Sequence, residues 1–349
     1  MTTFFQTFSK ILGFLFAILF FIIIITLLSS LINKDSSNFF YAEGEKGFKE
    51  KIAIISLNGP IITESTSFNV ISSSEAISPS LIESYLIELK NKKIKGLIVS
   101  INSPGGSVSA SESVYRLFEK FKDKNNIPLY FHTNGMMASG AYWVALSGNK
   151  IYANYGSIIG SIGVKGPDWI YYNSPTTISS GLLGNTVVSP NGIKLYSNIA
   201  GKSKDIFNPF RSPSDDEIFD LQKIVNKIYT DFTNKISEKR KIENEFIVNE
   251  IGAMIFDTEE AKKNFLIDGE MDLNQLINKM KKKLNLKKVE IIENKNKNYF
   301  NILNINNYFN LGYEENFNFI NQKFCDNLRN EFSVVAVNYQ RNCQLFINK

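Results

Sequence analysis

Histidine is almost missing from this chain: His132 is the only one. A Ser-His-Asp triad therefore has a single base to draw on, and a nucleophilic serine elsewhere would turn to lysine. Cysteine is nearly as scarce, with Cys325 and Cys343 both near the C-terminal end. A disulfide between them, if that segment is extracytoplasmic, and two unpaired thiols are both compatible with the sequence. Neither charge sign is in large excess: the formal net charge is +5, and the lysines are scattered among asparagines rather than striped. No recognisable binding motif accompanies them, which argues against a nucleic-acid partner. Hydrophobic residues make up 44% and charged residues 21% of the chain, and these ordinary values exclude wholesale disorder. No internal repeat is present.

Charge is absent altogether from Ile11–Ile32, a run of mainly Ile, Leu and Phe. As a helix it is long enough to cross about 30 Å of hydrocarbon. A cleaved signal peptide has a shorter apolar core and a small-residue cleavage site. No clear Ala-x-Ala follows here, and Ser29-Ser30-Leu31 is a weak substitute, so an uncleaved anchor, contacting membrane lipid through residues 11–32, is the expectation. Lys10 lies on one side and Lys34, Lys46, Lys49 and Lys51 on the other, offset by Asp35, Glu43, Glu45 and Glu50. The positive-inside count leans slightly towards a cytoplasmic body.

Beyond the anchor (1–33), residues 34–50 read as a linker. Lys51–Leu57 and Gly96–Ile101 are apolar runs suited to strands buried on both faces. A helix is predicted from Ser78 to Lys92. Another follows Gly106, with Val114, Leu117, Phe118 and Phe121 on one face. Next come a strand over Ile127–His132, a helix from Ser139 and a strand over Lys150–Ala153. This alternation predicts an α/β fold with a parallel sheet and flanking helices. Residues 165–200, rich in Ser, Thr, Asn, Gly and Pro, read as an insertion or mobile loop. Ser214-Asp215-Asp216-Glu217 is a capping box. It launches a helix with Ile218, Leu221, Val225, Ile228, Phe232 and Ile236 along one face. Further helices are predicted over Thr258–Asn264 and Leu273–Leu284, and beyond residue 286 the composition shifts to Asn, Phe and Tyr.

Gly105-Gly106 follows a buried strand and precedes a helix. Glycine permits close approach of main-chain N–H groups to a ligand, and a helix start favours negative charge. Such donors stabilise an acyl-transfer oxyanion by about 3–4 kcal/mol each. By itself Pro-Gly-Gly is more simply a tight turn. Ser139 sits among Ala138, Gly140 and Ala141, which leave room around its hydroxyl, although most serines at such places are helix caps. Gly160-Ser161-Ile162-Gly163-Val164 is a second small-residue turn.

The ordered set is specific where each piece is weak. Ser103-Pro104-Gly105-Gly106, then Met137-Ala138-Ser139-Gly140-Ala141-Tyr142, then Gly160–Val164 resembles the signal peptide peptidase A family of serine–lysine peptidases. Its members share a ClpP/crotonase-like fold. The resemblance covers residues 51–285 and includes Ile255–Ala261 and Leu266-Ile267-Asp268. It implies Ser139 as nucleophile, the backbone N–H groups of Gly106 and Ser139 as oxyanion hole, and Ser161 as the hydroxyl that orients the base. The base it implies is a lysine before an aspartate. In Gly201-Lys202-Ser203-Lys204-Asp205 this points to Lys204 over Lys202. A lysine acts as base only when neutral, so its pKa must fall from about 10.4 towards the working pH, which burial achieves. ClpP-type enzymes place their histidine after the serine, so His132 reads as a strand-end histidine satisfied locally.

Four departures stand out. Ala141 replaces a common second glycine, and Phe265 a small residue. The stretch from Val164 to Lys204 is longer than usual, and the 286–349 extension has no family counterpart. The resemblance implies a membrane-anchored endopeptidase acting on remnant signal peptides and other membrane-derived or misfolded polypeptides. It calls for no metal or cofactor. It further implies a single-pass inner-membrane protein with an extracytoplasmic catalytic domain, against the weak charge count, and a homo-oligomer, an octameric ring with active sites shared between subunits. The rival readings are a crotonase-like acyl-CoA enzyme and a catalytically silent membrane scaffold.

Overall fold

The computed structural model describes residues 2–32, 37–63, 76–179, 186–294 and 333–335. It divides into two units, Met1–Phe40 and Tyr41–Lys349. The first is dominated by helix α1 (Thr2–Ile32). Its Gln6–Ile25 stretch has a mean hydropathy of 2.7 and is long and apolar enough to cross a membrane. Phe14, Leu15 and Phe16 are all exposed on it, as are Leu19, Phe20 and Phe21. Successive residues turn by about 100°, so the helix is apolar all round rather than along one stripe.

The second unit is built on a seven-stranded sheet. Its strands are β1 (Phe39–Gly44, of which Tyr41–Gly44 belongs here), β2 (Lys51–Asn58), β3 (Gly96–Asn102), β5 (Leu129–Thr133), β7 (Lys150–Ala153), β12 (Gly269–Glu270) and β13 (Glu290–Asn294). The order is β1-β13-β2-β3-β5-β7-β12. From β13 to β12 every pairing is parallel, with β2 and β3 in register from Ile52↔Gly96 to Asn58↔Asn102. The strand β4 (Gly105–Ser107) and helices α2 (Pro79–Lys92) and α3 (Val108–Asn125) connect the central strands. Ser78 caps α2 by accepting from the Leu81 N–H, with Pro79 at the first helical position.

The uninterrupted apolar strands are explained by cover on both faces. Phe131 of β5 meets Phe118 of α3 edge-on, ring centroids 5.6 Å apart. Its neighbour Tyr130 points the other way, into a cluster with Ile54, Ile98, Tyr152, Leu276, Ile277 and Met280. The last three lie on α8 (Leu273–Lys283), opened by an Asp272/Gln275 capping box. Phe118 is fully buried. Truncating such a side chain to Ala costs about 3–5 kcal/mol.

A smaller sheet, β11-β8-β6, joins β6 (Met136–Ala138), β8 (Ile158–Gly160) and β11 (Ile255–Phe256). It is tied to the end of β3 by the Ser103 N–H, donated to the Met136 carbonyl at 2.7 Å. Helix α4 (Gly140–Ala145) follows β6, and α7 (Thr258–Lys263) follows β11. Between them run α5 (Asp215–Arg240) and the short α6 (Asn244–Phe246), continued by a π-helical turn over Ile247–Ile251.

Several boundaries differ from the sequence reading. The strand expected from Ile127 begins at Leu129, after Pro128, which has no N–H to give a ladder. The loop expected over 165–200 holds an antiparallel hairpin of β9 (Thr177–Ser179) and β10 (Thr186–Val188). The expected linker contributes β1, and β13 lies beyond the domain end expected at residue 285. On α5 the expected face is buried at Phe232 and Ile236, half-buried at Leu221, Val225 and Ile228 and exposed at Ile218, and Phe219 and Ile224 beside it are exposed as well. A last strand, β14 (Ser333–Val335), pairs antiparallel with β4. Cys325 and Cys343 fall outside the described residues.

Candidate active site

The site assembles where β3, β4, β6 and β8 end. Ser103 is buried, and its Oγ accepts the Gly105 N–H at 3.2 Å. Ile61 runs beside β4: its N–H is donated to the Gly105 carbonyl and its carbonyl accepts the Ser107 N–H, both at 2.9 Å. These two bonds use the Ile61 side of β4, so the N–H and C=O of Gly106 face the opposite way. Gly106 has to be glycine, because a Cβ there would lie 1.8 Å from the Ile61 carbonyl oxygen. Ser107 then caps α3 by accepting from the Ala110 N–H.

Ser139 links β6 to α4 with φ 57° and ψ −117°, left-handed backbone that is costly for a residue with a Cβ. The surroundings over-determine it. Its N–H is donated to the Gly160 carbonyl at 2.7 Å, and its C=O accepts the Trp143 N–H at 3.0 Å. Behind it Tyr142 is fully buried and donates its hydroxyl to the Leu266 carbonyl at 2.8 Å. Trp143 donates its indole N–H to Glu112 at 2.8 Å and packs on Phe232 of α5. The Ser139 Oγ is buried without a hydrogen-bond partner. Leaving a hydroxyl in that state costs about 1–3 kcal/mol, which marks a position kept for something other than stability.

Ser161 stands beside it. The parallel register Ala138↔Gly160 puts Ser139 and Ser161 each one residue past a paired strand end. Ser161 is buried with φ 53°, and its N–H is donated to the Met254 carbonyl at 2.7 Å. Ser139 and Ser161 are thus presented by the ends of the paired strands β6 and β8, while Gly106 lies within β4, which packs against α4. One expectation is corrected: the Ser139 N–H, read as the second oxyanion donor, is already committed to Gly160.

The lysines lie on a different kind of segment. Lys204 is exposed in a run of turns, its N–H donated to the Gly201 carbonyl at 3.3 Å. Since the Ser139 Oγ has no partner, Lys204 does not reach it within one chain. Lys202 pairs with Asp216 at 2.8 Å, and that carboxylate raises its pKa, the wrong direction for a base. The segment is held by Arg211, which clamps Asp205 through Nε and Nη2, both at 2.8 Å, and reaches Glu217 at 2.7 Å. The guanidinium lowers the pKa of both carboxylates. Its carbon also lies 5.1 Å from the Trp169 ring centroid.

His132 is buried on β5 and donates its Nε2–H to the Met271 carbonyl at 3.1 Å, while Nδ1 has no partner. The expected local satisfaction is therefore half met. Because Nδ1 and the Ser139 Oγ are both unpaired, the two do not form a dyad. Burial lowers the His132 pKa. No cluster of His, Cys, Asp and Glu suited to a metal is present among the described residues. Sequence reasoning missed the Gly160 carbonyl, Ile61 and the Arg211 clamp. Only the clamp left a trace, as an Asp, an Arg and a Glu flanking the helix cap at Ser214.

Residues 121–287 match Peptidase family S49, and residues 59–154 match Clp protease. A candidate protease of Methanocaldococcus jannaschii is 34% identical over 204 residues, 58% of this chain and 61% of that protein. A candidate signal peptide peptidase of Enterococcus faecium is 27% identical over 256 residues, 72% of this chain and 69% of that one. The chain thus spans about three fifths of the length of the first relative. A solved structure of a 1510-N membrane-bound stomatin-specific protease mutant is 16% identical, covering 66% of this chain and 85% of that one, with a TM-score of 0.41.

Proposed function

We propose that this chain, whose residues 121–287 match Peptidase family S49, is a membrane-anchored serine endopeptidase with Ser139 as nucleophile and Lys204 as general base. The observation that carries the reading is the Ser139 hydroxyl: buried, unpaired, and held in strained backbone beside Gly106 and Ser161. The Oγ attacks the scissile carbonyl and passes its proton to a neutral Lys204 Nζ. The carbonyl oxygen becomes an oxyanion that accepts from the Gly106 N–H. A second donor is the N–H of Gly140, which as the first residue of α4 has no intrahelical acceptor. Collapse breaks the C–N bond, the amine leaves with the proton from Lys204, and an acyl-serine remains. Water, deprotonated by the same lysine, hydrolyses it and regenerates Ser139.

Lys204 comes from the partner subunit in this proposal. Two observations support that placement: the lysine is exposed on its own chain, and Ile218, Phe219 and Ile224 leave an apolar surface on the nearby start of α5. A homo-oligomeric ring, octameric in the family reading, would bury both. Ser161 orients the lysine. The α1 helix anchors the protein in the inner membrane with its catalytic unit extracytoplasmic, and the substrates are remnant signal peptides and other membrane-derived or misfolded chains.

Full-length protein in detergent, treated with a fluorophosphonate probe, tests the reading. Labelling at Ser139 that disappears in Ser139→Ala is expected. Mixing Ser139→Ala with Lys204→Ala should restore part of the peptide hydrolysis. Absence of labelling and hydrolysis in every assembly state would favour a silent scaffold, and no rescue at any mixing ratio would refute shared sites.

A further inference from the structure

One edge of β4 is held by Ile61; the other carries β14, in the antiparallel register Ser333↔Ser107, Val334↔Gly106 and Val335↔Gly105. Since Ile61 takes the Gly105 carbonyl and the Ser107 N–H, the ladder bonds to β14 fall on Gly106, opposite Val334. The strand also lies against α4, the helix headed by Ser139. The chain's own C-terminal segment thus engages the very N–H assigned to the oxyanion. We infer that Ser333–Val335 is an internal occupant of the peptide-binding edge of β4 and holds the peptidase inhibited until an incoming extended peptide displaces it.

The inference rests on the peptidase reading for its consequence, though not for the pairing itself. The edge is suited to β-strand addition, where main-chain bonds give affinity and the side chains of the guest choose the sequence. The residues Phe332-Ser333-Val334-Val335-Ala336-Val337 carry no charge and favour extended structure. An uncharged, β-branched stretch of this kind is also the chemistry of a peptide released from a membrane or a hydrophobic core. The guest being tethered, its effective concentration is of millimolar order. Against a free peptide of about 0.1 mM affinity, such a tether blocks the edge about tenfold.

Two substitutions in the full-length chain separate the strand pairing from any general effect on the tail. The Val334 N–H faces Gly106, whereas that of Val335 faces away, so Val334→Pro removes a ladder donor and Val335→Pro does not. Two readouts are taken: fluorophosphonate labelling of Ser139, and binding of a fluorescent peptide with the sequence of residues 330–338 to the Ser139→Ala background. Val334→Pro is expected to raise labelling rate and peptide affinity about tenfold, with Val335→Pro within twofold of wild type. Equal labelling at Ser139 and equal peptide affinity in all three proteins would overturn the inference and leave the peptidase standing. Tenfold tighter peptide binding by Val334→Pro without labelling of any protein would support the occupant and sink the nucleophile. Should the proline variant fold poorly, amide exchange on the wild type decides. Slow exchange of the Val334 amide that saturating peptide abolishes supports the occupant, and fast exchange there refutes it.

Discussion

The two halves of the proposed dyad are held in opposite ways. Ser139 is locked by backbone bonds to Gly160 and Trp143 and by fully buried packing behind α4, with its hydroxyl left over. Lys204 rides on exposed turns whose shape is set by Arg211 between Asp205 and Glu217. A nucleophile tolerates no displacement of its oxygen, and close packing gives it a fixed place. A base shared across subunits has to be presented at a surface, where an ion-pair clamp orders a loop without burying it.

Ser139→Ala tests the rigid half most severely and should lower peptide hydrolysis by more than about 10³-fold, as loss of a nucleophile does. Thermal unfolding of that variant should be unchanged or later, because an unpaired buried hydroxyl is gone. Gly106→Ala comes next. Its methyl has to push the Ile61 backbone away, and the displaced donor should cost about 10²–10³ in kcat, with a lower Tm that Ser139→Ala does not share.

On the exposed half, Lys204→Ala should reduce hydrolysis by about 10²–10⁴-fold, the range of a general base. Lys202→Ala should stay near wild type, because its ammonium is committed to Asp216. The reverse result in a hydrolysis assay would move the base by two positions and dissolve the contrast drawn above.

The smallest effect is in acid. The His132 pKa is lowered in the folded protein by burial, so below its unfolded value of about 6.5 the unfolded chain binds a proton that the folded one refuses. Stability contributed by neutral His132 is complete above that pH and declines as the pH falls further. A Tm profile from pH 7 to 5 should therefore slope less in His132→Gln, while hydrolysis at neutral pH is largely kept. A steep loss of hydrolysis in that variant would instead draw His132 into the chemistry.

Much of this was legible in the sequence because it depends on local rules. Apolar runs at Lys51, Gly96 and Lys150 became parallel strands, and the Ser214/Glu217 box opened α5 where it was expected. What escaped has no local signature. The short strands β11, β12 and β14 exist through their partners, and β13 joins the sheet from a stretch whose composition resembles the tail. The exposed half of α5 reads like the buried half, since periodicity shows that a face is apolar and not whether the same chain covers it.

The same division runs through the site. By itself the sequence picked out the candidate residues: a glycine pair after a buried strand, a serine among small neighbours, a second serine turn, and a lysine rather than the lone histidine as the proposed base. Tertiary structure alone decided which backbone groups are available to them. The Ser139 N–H is claimed by Gly160, and the Gly106 N–H is turned from Ile61 towards β14. A hydrogen bond between strands distant in sequence is set by register and direction, and neither is written in the residues that make it.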